Sequence, residues 1–149
     1  MKAIGVIVLL LVVGIGAATL VLTKEPDRDL DAQGRSWVAG YEAWHGVVLR
    51  RVEVAQRRMT LANEERNARL LEPLRGCGRS LARVGDPPVL LEEVQEAATR
   101  ACGEAEVALA KNDEFGSAAL ATTRLHLNEV EDNLRLSQHS LRLALDEPL

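Results

Sequence analysis

Aromatic residues are scarce in this chain, four in 149, and three of them, Trp37, Tyr41 and Trp44, fall within eight positions. Histidine is scarcer still. Of His45, His126 and His139, the last two stand 13 residues apart, about 220° around a helix. They therefore do not share a face as metal ligands must. The chain has no His-Glu-x-x-His, no phosphate-cradling glycine loop and no nucleophile elbow. Nothing in its motifs points to catalysis or to a cofactor. No Asn-x-Ser/Thr glycosylation acceptor occurs either. The formal net charge of −4 disfavours nucleic acid, which rewards a basic face.

Isoleucine is absent beyond residue 15. All three isoleucines lie in "AIGVIVLLLVVGIGAATLVL", residues 3–22, an unbroken apolar run bounded by Met1-Lys2 and "TKEPDRD". Twenty helical residues span about 30 Å, the hydrocarbon thickness of a bilayer. A cleavable signal peptide has a shorter apolar core and a small-x-small cleavage site. Gly16-Ala17-Ala18 offers such a site, but "TLVL" carries the apolar run past it. The pattern therefore predicts a retained transmembrane signal-anchor over 1–23, in contact with the lipid bilayer through residues 3–22. Secretion after cleavage is the alternative. No cysteine lies near the run, which excludes a bacterial-type lipid anchor at that point. Within the run, Gly14 and Ala18 form a small-xxx-small pair, a weak dimerisation signal.

Lys2 and the terminal amine precede the run, whereas Lys24, Glu25, Asp27, Arg28, Asp29 and Asp31 after it sum to −2. Positive-inside bias then puts the N-terminus in the cytoplasm and residues 24–149 outside. That exported part carries 17 basic and 22 acidic residues. Arginine outnumbers lysine fifteen to three, which fits a GC-rich bacterial source.

Only two cysteines occur, Cys77 and Cys102. In an oxidising compartment an even count predicts a disulfide. The unpaired alternative is a pair of buried thiols acting as small hydrophobes.

Strand-like alternation is also missing after the run, and the apolar residues recur at helical spacing. Leu30, Trp37, Tyr41, Trp44, Val48, Val52, Ala55, Met59 and Ala62 line one stripe. Gly34, Gly40 and Gly46 weaken its first part, so that the helix is either loose there or starts at Ser36. Leu70, Leu74, Cys77, Leu81 and Val84 continue the pattern, interrupted by Pro73. The first helix therefore kinks at Pro73 or stops near Leu71, and a short helix follows to Gly85. "GDPP", residues 85–88, is a turn, with Asp86 a candidate cap and Pro87 a first-turn residue of the next helix. That helix carries Leu91, Val94, Ala98, Ala101, Ala105 and Leu109, small side chains that permit close approach. "KNDEFG", residues 111–116, reads as the next turn, with Ser117 as a cap. The last helix repeats Leu120, Leu127, Leu134 and Leu141 every seventh residue, with Thr123, Val130, Ser137 and Leu145 beside them.

The expected architecture is all-α: a single transmembrane helix, a juxtamembrane linker over 24–33, and over 34–149 an antiparallel bundle of three long helices with a short fourth at 73–84. The disulfide strains this layout. Counted from the 85–88 turn, Cys102 lies about 22 Å down its helix and Cys77 about 12 Å down the other. The pairing then requires residues 78–90 to be partly extended.

Three surface features complete the reading. Trp37, Tyr41 and Trp44 are expected in the core at the membrane-proximal end, with headgroup contact or ligand stacking as the alternatives. Arg50, Arg51, Arg57 and Arg58 cover one arc of the first helix as a solvated face, able to pair within or between chains with Glu129, Glu131 and Asp132. Leu125, Leu136 and Leu143 fall off the core stripe and form a second apolar edge, the candidate contact with another copy or a partner. The function expected is a membrane-anchored interaction or structural module of the cell envelope. The alternative is a small-ligand binding or sensing module using the aromatic end.

Overall fold

A computed structural model describes residues 30–146. The expected transmembrane anchor lies outside the described residues. Among the described residues no helix is long and apolar enough to cross a membrane, and there is no strand.

Three long helices form as the apolar periodicity predicts: α1 (Ala32–Arg58), α4 (Glu92–Phe115) and α5 (Leu120–Ala144). Between α1 and α4 the chain runs through α2 (Glu64–Leu71), a 3-10 turn at Glu72–Leu74 and α3 (Cys77–Ala82). These pieces act as one broken column. It lies between α1 and α4, while α4 packs most extensively on α5, and α5 packs on α1. Four columns thus run up, down, up and down around a single apolar core.

Side-chain bonds fix the directions. Trp44 meets Ser80 and Arg51 meets Pro73, so the broken column descends beside α1. Tyr41 meets Ser137 and Gln56 meets Asn128, so α5 is antiparallel to α1 as well.

Helix α1 starts earlier than the glycines suggest, because Asp31 caps it by accepting the Gly34 amide at 2.7 Å. It also ends much earlier than Leu71. Met59 turns extended (ψ 139°), and the chain reverses through residues 59–63. Proline and glycine are both absent there, so the turn is made by side chains. Asn67, fully buried, accepts the Thr60 amide at 3.0 Å and donates to the Thr60 carbonyl at 2.7 Å. Asn63 caps α2 by accepting the Arg66 amide, and Glu64 and Glu65 stand in its first turn. Arg124 reaches across from α5 to donate to the Met59 carbonyl at 2.8 Å. Ala62, the last member of the proposed stripe, is consequently exposed.

Residues 85–88 form no regular structure, with Gly85 at φ +96°, and residues 78–82, expected to be partly extended, are helical in α3. Helix α4 begins at Glu92 behind a 3-10 turn at Val89–Leu91. Asp86 is therefore not its cap. Asp86 and Pro87 each precede a proline, a position that disfavours helix. This late start brings Cys102 within about ten residues of the beginning of α4 and removes the mismatch in level with Cys77. The disulfide forms with Cα atoms 5.3 Å apart. The next reversal falls at Gly116–Ala119, since Lys111–Phe115 still belong to α4. Gly116, at φ +54°, ends the helix in a conformation that other residues rarely adopt.

Ala97, Ala98, Ala101, Ala105 and Ala108 are all buried on α4, and Leu120, Leu127, Val130, Leu134 and Leu141 on α5. Small side chains on one helix let the leucines of the other interdigitate at close range. The leucines seven apart are thus intramolecular core. Asn67→Ala should destabilise the domain by about 2 kcal/mol, through two lost hydrogen bonds at a buried site. Urea unfolding followed by circular dichroism would measure the change.

Candidate functional site

The aromatic residues of α1 recur at steps of four and three, so all point inward. Trp37 and Tyr41 stack at a centroid separation of 5.3 Å with planes 7° apart, and Trp44 lies 5.9 Å from Tyr41. All three rings are buried. Each polar tip has a partner inside the chain. The Trp37 indole N–H donates to the Gly85 carbonyl at 3.0 Å. The Trp44 indole N–H donates to Ser80 Oγ at 3.0 Å, and Ser80 donates to the Cys77 carbonyl three residues back. Tyr41 Oη lies 2.5 Å from Ser137 Oγ, and Ser137 donates to the Leu134 carbonyl at 2.8 Å. Because the serine hydrogen is committed to that carbonyl, Tyr41 is the donor to Ser137.

His45 adds a fourth anchor. Its Nε2 lies 3.0 Å from the same Leu134 carbonyl. A carbonyl only accepts, so the hydrogen is on Nε2. Burial pushes the His45 pKa below its ordinary value, opposed by the Leu134 bond and by Glu42. Burial also raises the Tyr41 phenol to about 12, against the lowering effect of the Ser137 bond and with a small upward push from Glu42. Both groups are neutral at physiological pH. The cluster is a hydrogen-bonded wedge that ties α1 to α3 on one side and to α5 on the other.

The Cys77–Cys102 bond lies next to one end of this wedge, since Cys77 supplies the carbonyl that Ser80 uses. It joins the six-residue α3 to α4, and no cysteine is free. A helix that short has little stability of its own. The covalent link and the Trp44–Ser80 bond hold it from opposite sides.

The second apolar edge is on the opposite side of α5. Leu125, Leu136 and Leu143 are 56%, 47% and 60% exposed and point away from the core leucines. Glu129 and Asp132 lie between them on the same face, while Glu131 turns aside to pair with Arg135. On α1, Arg57 pairs with Glu53 of its own helix and Arg51 donates to the Pro73 carbonyl. The arginine arc and the acidic residues of α5 therefore form no ion pair with one another among the described residues.

Sequence reasoning missed two groups. Asn67 and Arg124, which close the α1–α2 turn, resemble ordinary surface polar residues in the sequence; only the Asn63-Glu64-Glu65 run signalled a helix start there. Glu104 and His126 pair across α4 and α5 at 2.7 Å, a long-range contact that helical spacing does not reveal. Shallow surface recesses also exist. One of about 400 Å³ is lined by Arg75, Arg79, Glu106 and Asp113, and another of about 250 Å³ by Lys111, Phe115 and Thr122. Among the described residues no three His, Cys, Asp or Glu side chains are placed to hold a metal ion. Comparison of the chain with protein-family models, with curated proteins and with solved structures finds no match.

Two measurements test this site. Reducing the disulfide should lower unfolding stability by about 3.5 kcal/mol, the chain-entropy value for a loop of this length, read as a shift in the denaturant midpoint with and without reductant. The second concerns His45. The unfolded chain binds the imidazole proton at its ordinary pKa of about 6.5, and the folded chain binds it only at lower pH. Stability is therefore fully present above pH 6.5 and falls as the pH drops through the window below it. His45→Gln, which keeps a donor for the Leu134 carbonyl, should flatten that part of the stability profile relative to the wild type.

Proposed function

We propose that this protein is an interaction or structural module of the cell envelope: a bilayer anchor at residues 3–22 presenting the helical bundle on the far side of the membrane. The disulfide supports an oxidising location, because paired cysteines persist outside the reducing cytosol. The carrying observation is the division of labour on the surface of the bundle. The aromatic rings that would serve a ligand are packed and hydrogen-bonded inside. The leucines of the outer α5 face are left in solvent, aligned along one ridge. Exposed leucines at helical spacing on a rigid helix suit another macromolecule better than a small ligand.

Membrane fractionation should find the full-length chain in the pellet after carbonate washing. A photocrosslinking residue at Leu136 or Leu143 in native membranes should capture a discrete protein species. The same residue at exposed Arg83, away from the ridge, should not. A chain that is soluble, reduced and uncaptured would overturn this reading.

A further inference from the structure

Two solvent-facing strips of the bundle match one another. On α1, Val47, Arg50, Val54 and Arg57 follow at steps of three, four and three, all exposed, with Val47 at 47% and Val54 at 37%. They lie on the side of the helix opposite Tyr41 and Val48, and Arg58 flanks them. On α5, Leu125, Glu129, Asp132, Leu136 and Leu143 follow at steps of four, three, four and seven, all exposed as well. Both strips carry apolar residues at heptad spacing, the pattern by which one helix lays along another. Their charges are opposite. Arg50, Arg58, Glu129 and Asp132 have no ion-pair partner among the described residues, and Arg57 has only Glu53 on its own exposed turn.

We infer that the α1 strip of one copy of this chain docks antiparallel on the α5 strip of a second copy. This inference rests on the interaction reading above and names the partner. Within one chain, α1 and α5 are antiparallel, with Tyr41 level with Ser137 and Gln56 level with Asn128. A second copy standing alongside at the same height therefore brings Asp132 level with Arg50, and Leu136 within about one helical turn, ~5 Å, of Val47. Glu129 then comes level with Val54 and within about one helical turn, ~5 Å, of Arg57. Leu136 then packs beside Val47, and Arg50 and Arg57 each find a carboxylate.

The charges also reject the symmetric alternatives. An α1-on-α1 contact would oppose Arg50, Arg57 and Arg58 to themselves, and an α5-on-α5 contact would do the same with Glu129 and Asp132. The contact is consequently heterologous: a pair leaves the α5 strip of one copy and the α1 strip of the other unused, and copies add until a ring closes or a row continues. Because both helices run antiparallel within the chain and across the contact, all copies stand the same way up. That is the arrangement an N-terminal anchor in one membrane demands.

The test uses the full-length chain in membranes or in detergent. Val54→Glu disables the α1 strip and Leu136→Glu the α5 strip. Each should weaken self-association by roughly tenfold or more, as a charge forced into an apolar contact does. The decisive sample is a 1:1 mixture of the two variants, which should form dimers and nothing larger by light scattering, since only one intact strip of each kind can meet. A photocrosslinker at Val47 in the otherwise unaltered chain should label residues around Leu136 of a second copy, a readout independent of variant folding. Wild-type association should also weaken with added salt.

A monomeric wild type, Val47 labelling Val47, or variants that associate like the wild type would overturn the inference. If the wild type is monomeric but a crosslinker at Leu136 captures a different protein, this inference falls and the interaction reading stands. If nothing is captured from either strip, both fall.

Discussion

The aromatic wedge on α1 sets the position of everything around it. Trp37, Tyr41 and Trp44 are large rings, and each places its one polar atom against a different part of the chain: the turn at Gly85, Ser80 of α3 and Ser137 of α5. Two of those contacts pass through a serine that bonds back to a carbonyl of its own helix. Tyr41 and His45 converge on a single α5 turn around Leu134. Burying a phenol or an indole without a partner costs on the order of 1–3 kcal/mol. The helices are therefore locked in rotation as well as in position, because sliding either neighbour by one residue would orphan these donors.

The same constraint explains why the broken column is tolerable. A six-residue helix and an eight-residue helix joined by a 3-10 turn cannot be stable alone. Here Trp44 and Arg51 hold the column from α1, the disulfide and the Arg75–Asp113 pair hold it from α4, and Asn67 closes its upper end on Thr60. Its regular hydrogen bonds are few, but its tethers come from both sides. The disulfide links the weakest column to the helix with the smallest side chains, so that a covalent bond complements a stretch where alanines bury little apolar area.

Much of this fold is legible in the sequence, and the boundary of that legibility is physical. The heptad leucines of α5, the small-residue face of α4, the inward aromatic stripe and the cysteine pair all follow from periodicity or count, which are local properties of the chain. The end of α1 did not. Its apolar stripe continues in phase through Met59, and the turn is imposed by Asn67 and Arg124 from positions 7 and 65 residues away. The position of the α4 start was misjudged for the opposite reason. Asp86-Pro87 resembles a cap and a first turn, but the second proline, Pro88, disfavours helix at Pro87, and the chain passes through a 3-10 turn before α4 starts at Glu92. The outer leucine ridge was visible as residues that the core stripe did not use. The acidic residues beside it read in the sequence as one cluster, Glu129, Glu131 and Asp132, although neighbouring helical residues stand about 100° apart; in the structure Glu131 leaves the ridge and pairs with Arg135.

An interaction surface made of single helix faces has little area with which to reorganise, so its helices must already be held at a fixed rotation before a partner arrives. A wedge whose donors tolerate no sliding meets that need on both helices at once, since the rings that face inward from α1 set the α1 strip at Val47 and Val54, and the Ser137–Leu134 turn they grip sets the α5 strip at Leu136. The inner bonds and the outer strips lie on opposite faces of the same two helices. If the strips dock as proposed, loosening the wedge would let each strip rotate away from its partner while leaving the helices intact, and ordering them again on contact would cost affinity. On the proposed self-association, the polar core of this bundle, otherwise an expensive choice beside plain leucine packing, serves to fix the orientation of the strips outside.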